Sequence, residues 1–81
     1  MSRASDIVRK YLKDTFGLDD SNLNDGDPTL RELGLDELDE VEMIMEIEAD
    51  TGIEIPDERF EPDGTLAEFI VLVESVMKEQ E

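Results

Sequence analysis

The sequence predicts an all-α fold, a small acidic helical bundle in one domain spanning residues 1–81. Three observations predict it. Apolar residues recur at three- and four-residue spacing near both ends and in the middle of the chain. Capping residues, glycines and prolines stand where those periodic segments should begin and end. The length, 81 residues, is that of one domain with a small core.

The first helix is carried by Ile7, Val8, Tyr11, Leu12 and Phe16, which define one apolar stripe. Ser2 or Ser5 can cap its start and Gly17 its end. Arg9, Lys10, Lys13 and Asp14 take the opposite side. From Asp19 to Arg31 the chain is dominated by Asp, Ser, Asn, Gly and Pro and reads as a long loop, pinned by Leu18, Leu23 and Leu30. Such a loop calls for a reason. Asp20, Asn22 and Asn24 match the first ligand positions of a calcium-binding EF-hand loop. Asp25 then replaces the required glycine and Arg31 the required bidentate glutamate, so the plain loop is preferred.

The second helix is predicted from about Glu37 to Thr51, with Asp36 as N-cap and Gly52 just past its end. Ile53 and Ile55 flank Glu54 in an extended step that Pro56 breaks. Asp57 to Phe60 fits one short helical turn, and Pro62-Asp63-Gly64 is a turn signal. The last helix opens with the capping box Thr65-Leu66-Ala67-Glu68. Its stripe is Leu66, Phe69, Ile70, Val73 and Met77, and Lys78 suits its final turn.

Charge narrows the function. There are 24 acidic and 7 basic residues, a formal net charge of −17. That balance disfavours nucleic acid and anionic membranes and favours basic patches on other proteins. A hydrophobic fraction of 38%, arranged periodically, argues against disorder. From Glu32 to Glu58 there are 12 acidic residues and no Lys or Arg, which focuses a field of one sign. Cysteine and histidine are absent, which removes disulfides, thiolate metal sites and the commonest general base. No nucleophile or phosphate cradle accompanies the carboxylates, so an enzyme is not expected. The apolar runs are too short to span a membrane, and Met1 to Ser5 lead into no apolar core, so no secretory signal is expected. A cytoplasmic protein is the expectation.

The second helix carries two apolar stripes where one is usual. Met43, Ile44 and Ile47 cluster on one side and Leu38, Val41 and Met45 on another, their centres about 150° apart. Asp39, Glu42 and Glu46 fill one gap, and Glu48 falls beside the second stripe. Glu40 projects onto the presumed core side, near enough to the helix start to reach water. One stripe faces the core. The other is either covered by the long loop or left exposed for a partner, and the pattern leaves both open. Exposed Met suits adaptable binding surfaces.

At these residues the chain resembles a family. Leu33-Gly34-Leu35-Asp36-Glu37-Leu38-Asp39 resembles the acyl carrier protein motif Leu-Gly-x-Asp-Ser-Leu-Asp. Val41-Glu42-Met43-Ile44-Met45 and Glu54-Ile55-Pro56-Asp57 are also similar to that family, and the order of elements agrees over nearly the whole chain. The resemblance implies a four-helix bundle with a long first loop and a short third helix, acting as a monomer. It implies that the second helix docks on basic patches of acyl-processing synthases and transferases through Leu38, Val41, Glu42, Met45 and Glu48. Met43, Ile44 and Ile47 would be core. Asp36 and Asp39 match positions where family members bind divalent cations, though solvated carboxylates are the plainer reading and no metal site is expected.

The family's cofactor, phosphopantetheine, is attached through a phosphodiester to the motif serine. Here that position is Glu37, flanked by Asp36 and Leu38, and a carboxylate cannot form the bond. The serines are Ser2, Ser5, Ser21 and Ser75, none in the motif. No cofactor is therefore expected; phosphopantetheine would apply only to a serine at position 37. Three accounts follow. The chain is a non-carrier relative that binds partner enzymes of fatty-acid, polyketide or related acyl metabolism. Alternatively it is an ordinary carrier whose serine was substituted in this chain. The third account is an acidic protein- or calcium-binding module unrelated to acyl transfer.

Overall fold

The computed structural model describes residues 3–80. Four α-helices follow in order: α1 (Arg3–Phe16), α2 (Asp20–Asn24), α3 (Glu37–Thr51) and α4 (Leu66–Glu79), with a 3₁₀ turn at Asp57–Arg59. The fold is all-α. Among the described residues, extended pairing is limited to one antiparallel bridge between Thr29 and Thr65. α1 packs against both α4 and α3 and so forms the centre of the bundle. No described helix is long and apolar enough to cross a membrane.

In α1, Val8 and Leu12 are buried, joined by Ala4, while Ile7, Tyr11 and Phe16 pack at the core's edge. Ser5 lies inside the helix, so it is not the cap; its hydroxyl accepts a hydrogen bond from Arg9 Nε at 3.2 Å. Ser2, the other predicted cap, lies outside the described residues. In α4 the predicted stripe is buried at Leu66, Phe69, Val73 and Met77, with Val76 added and Ile70 only half-buried. The Phe60 ring meets Phe69 edge-on at 5.8 Å, which seats the 3₁₀ turn on α4.

The stretch from Asp19 to Arg31 is more ordered than a plain loop. Asp19 caps α2: its carboxylate accepts from the Asn22 amide, and the Asn22 side chain accepts from the Asp19 amide, both at 3.0 Å. The Ser21 hydroxyl and that same Asn22 amide hold the Asp19 carboxyl below the usual range. Leu23 and Leu30 are buried and Leu18 half-buried, so the pinning residues do reach the core. Thr29 and Glu32 cap each other as well, at 2.9 and 3.0 Å. Thr65 and Glu68 repeat this pattern at the start of α4. The bridge between Thr29 and Thr65 joins the two capped turns, through Leu66 N–H to Pro28 O at 2.8 Å and Leu30 N–H to Gly64 O at 3.3 Å.

The chain after α3 is clamped on both sides. The Ile55 N–H donates to Glu48 Oε2 at 2.7 Å, and Gln80 makes two bonds of 2.9 Å to the Glu54 backbone. Ile53 and Ile55 are buried on either side of exposed Glu54, as an extended step requires.

Glu40 does not reach water, which corrects the expectation from its place near the helix start. It is 1% exposed, the one charged side chain buried among the described residues. Its Oε1 accepts from Arg31 at 3.2 Å, and its Oε2 is buried with no partner. The loop segment that carries Arg31 is held over α3 and closes off the solvent that a first-turn residue would otherwise meet. Burying a carboxylate with one oxygen unmatched is costly. We predict that Glu40→Met is as stable as the unaltered chain or more so in urea unfolding, by up to roughly 1–4 kcal/mol. Arg31→Ala, which leaves both oxygens unpaired, should lose roughly 1–3 kcal/mol.

Candidate functional site

The site is built on α3. Asp36 is its N-cap in extended backbone, and its carboxylate accepts from the Asp39 amide at 2.8 Å. The Asp39 carboxylate accepts in return from the Asp36 amide at 3.1 Å. Asp36 and Asp39 thus form a reciprocal capping box at the helix start. Glu37, Asp39 and Glu40 add acid to the first turn, where the helix dipole favours it. At the other end Gly52 adopts φ +76°, the left-handed conformation that glycine tolerates best, and its N–H donates to the Glu48 carbonyl at 2.8 Å. The helix is therefore fixed at both ends by its own sequence.

Its two apolar stripes meet different fates. Met43 and Ile47 are buried against the rest of the bundle, and Ile44 is half-buried at the margin. Leu38, Val41 and Met45 are 65%, 52% and 61% exposed. The long loop does not cover them. Glu37, Glu42, Glu46 and Asp50 are exposed around this strip. Of the five residues expected to face a partner, four are open. Glu48 is the exception: it is half-buried, and one carboxylate oxygen is held by Ile55 N–H.

Glu37 is the first helical residue and is exposed. It offers a carboxylate there and no hydroxyl. Ser21 lies on α2, where its hydroxyl donates to Asp19 at 2.7 Å; Ser5 lies in α1 and Ser75 half-buried in α4. None stands at the start of α3. The residues present do not fit a phosphodiester-linked group at this position.

The calcium-loop pattern does not assemble. Asp20, Asn22 and Asn24 fall on α2, with Asp20 paired to Lys13 at 2.6 Å and Asn22 used in the cap. Among the described residues no cluster of three or more carboxylates is arranged to hold a metal.

Residues 6–73 match the family described as the phosphopantetheine attachment site. The chain belongs to the acyl carrier protein family. It is 32% identical over 74 residues to an acyl carrier protein of Sinorhizobium fredii (strain NBRC 101917 / NGR234), which covers 91% of this chain and 95% of that protein. The acyl carrier protein AcpP of Rhizobium meliloti (strain 1021) matches with the same identity and coverage. No solved structure gives a significant match. Acyl carrier proteins are carriers, not enzymes, which agrees with the expectation from sequence.

One part of the site was not read from sequence. Tyr11 counts there as core stripe, yet it is half-buried and faces α3. Burial pushes its phenol pKa up; a hydrogen bond with Thr15 opposes this, and Glu42, Glu46 and Asp39 push it up further. The signal was present in the four-residue spacing of Glu42, Glu46 and Asp50, which places them along one edge of α3.

Different fates for the two stripes give different mutational costs. Met45→Gln should change unfolding free energy by no more than about 0.5 kcal/mol. Met43→Ala should cost roughly 2–5 kcal/mol. Equal costs in denaturant unfolding would show that both stripes are core.

Proposed function

We propose that this chain is an acyl-carrier-protein-like domain that docks on acyl-processing enzymes and is itself not phosphopantetheinylated. Its partners belong to fatty-acid, polyketide or related acyl metabolism, and it meets them as a monomer. One observation carries the reading: Leu38, Val41 and Met45 stand exposed together on a helix rich in acid, beside a position 37 that has no hydroxyl.

The apolar strip supplies contact area, and the carboxylates around it supply complementarity to a basic patch. Leu38, Val41 and Met45 are the contact residues and Glu42 the flanking charge; Glu48, tied to Ile55, contributes at the margin. Attraction between opposite surfaces speeds encounter and weakens with salt. Glu37 places a negative charge at the helix N-terminus, favourable there by roughly 0.3–1 kcal/mol. It retains a negative charge at the position where the family carries its phosphodiester.

A second reading is an ordinary carrier in which only the serine has changed. It is favoured by the intact surroundings, with Asp36, Leu38 and Asp39 all matching the motif. Both readings predict that the surface recognised by the modifying enzyme survives.

Incubation with a phosphopantetheinyl transferase and coenzyme A should leave the intact mass of the unaltered chain unchanged. Glu37→Ser should gain one phosphopantetheine under the same conditions. Modification of the unaltered chain would overturn the proposal. Failure of a folded Glu37→Ser variant would show that the docking surface has diverged as well.

A further inference from the structure

The exposed strip does not end on α3. An open groove of about 660 Å³ runs between α1 and α3, roomy enough for long side chains rather than a single ion. Ile7 and Tyr11 line it from α1, and Met45 from α3. Glu42, Glu46 and Asp50 follow one another at four-residue intervals along its α3 edge, about one helical turn apart.

All three carboxylates are exposed, and none forms a salt bridge among the described residues. The one cation lining the groove, Lys10, is held by Asp14 at 2.7 Å and also feels the charge of Asp50, so one ammonium stands against four carboxylates. The edge therefore keeps its negative charge. Tyr11 lies close enough to Glu42 and Glu46 for their fields to act on its phenol. Together these groups form a setting for a guanidinium. An aromatic ring, carboxylates outside any salt bridge and the flexible Met45 side chain are the group types that suit a guanidinium's charge, its planar fork and its aliphatic stem.

We propose that this groove receives an arginine from an amphipathic helix of the partner, whose apolar residues cover Leu38, Val41 and Met45. The inference rests on the docking reading above and extends its footprint across Met45 onto α1. Charge complementarity selects the occupant: a groove of mixed apolar and polar lining with a net acidic edge disfavours acidic segments and leaves neutral ones without a partner for the carboxylates.

Tyr11 is the single tyrosine and there is no tryptophan, so the fluorescence of the full chain reports on this groove. The probe is a synthetic helical peptide with leucines along one face and arginines flanking them. Binding should change Tyr11 emission saturably. The double variant Glu46→Gln with Asp50→Asn should weaken binding about tenfold. Replacing the peptide's arginines by citrulline, which keeps shape and removes charge, should weaken it at least as much. Tyr11→Leu, checked for retained helicity by circular dichroism, should weaken binding measured by calorimetry.

Strip variants separate the two claims. If Leu38→Ala with Val41→Ala weakens binding while the Glu46 and Asp50 variant and Tyr11 emission do not respond, the groove inference is overturned and the docking reading stands. If the groove variants weaken binding and the strip variants do not, the groove inference stands and the strip is not the docking face. If neither set responds, both are overturned.

Discussion

Helix α3 carries apolar residues on two sides but is packed on only one. Met43 and Ile47 hold it to the bundle, and their burial fixes its rotation. Once that rotation is set, the period of 3.6 residues decides everything else on the helix. Leu38, Val41 and Met45 must turn outward, and Glu42, Glu46 and Asp50 must line the edge above α1. Glu40 must turn inward, whatever its charge. The exposed apolar strip and the buried carboxylate are thus two consequences of one seam.

The acid that dominates the composition is also put to structural use. Reciprocal caps at Asp19/Asn22, Thr29/Glu32, Asp36/Asp39 and Thr65/Glu68 each satisfy amides at the start of a helix or turn. Glu48 satisfies the Ile55 amide in the segment after α3. A net charge of −17 on a small bundle opposes compaction by self-repulsion. Placing carboxylates at helix N-termini recovers part of that cost through the dipole. Glu42, Glu46 and Asp50 take no part in capping or salt bridges among the described residues and face outward along one edge of α3. Acid with no internal task is what a docking surface for a basic partner requires.

The sequence made the bounds of α3, its Asp36 cap and its Gly52 end legible, because each rests on local chemistry. The same holds for the 3₁₀ turn and the Thr65 cap of α4. Which stripe of α3 would be covered was not legible from periodicity, since that depends on where α1 and the loop lie. The resemblance to acyl carrier proteins favoured the exposed strip, and the packing agrees. Glu40 went astray for the same reason: distance along the helix from the N-terminus says nothing about the Arg31 segment folded over it. Helix α2 was missed because its five residues carry polar types common in loops. The caps Asp19-x-x-Asn22 and Thr29-x-x-Glu32 were readable, being spaced like Thr65-x-x-Glu68. Tyr11 has the spacing of a core residue, and only the tertiary groove shows its exposed side. The glutamate at position 37 was plain from sequence, and the structure adds that the described serines lie on α1, α2 and α4, none in the first turn of α3.

The central claim is that the docking face of α3 is retained without the attachment chemistry. Methyl NMR of the unaltered chain, titrated with a phosphopantetheinyl transferase in the absence of coenzyme A, tests it most directly. The account predicts that the methyl signals of Leu38, Val41 and Met45 shift or broaden while those of Met43, Ile47 and Val73 hold their positions. No change at the strip, or changes confined to α4, would contradict it.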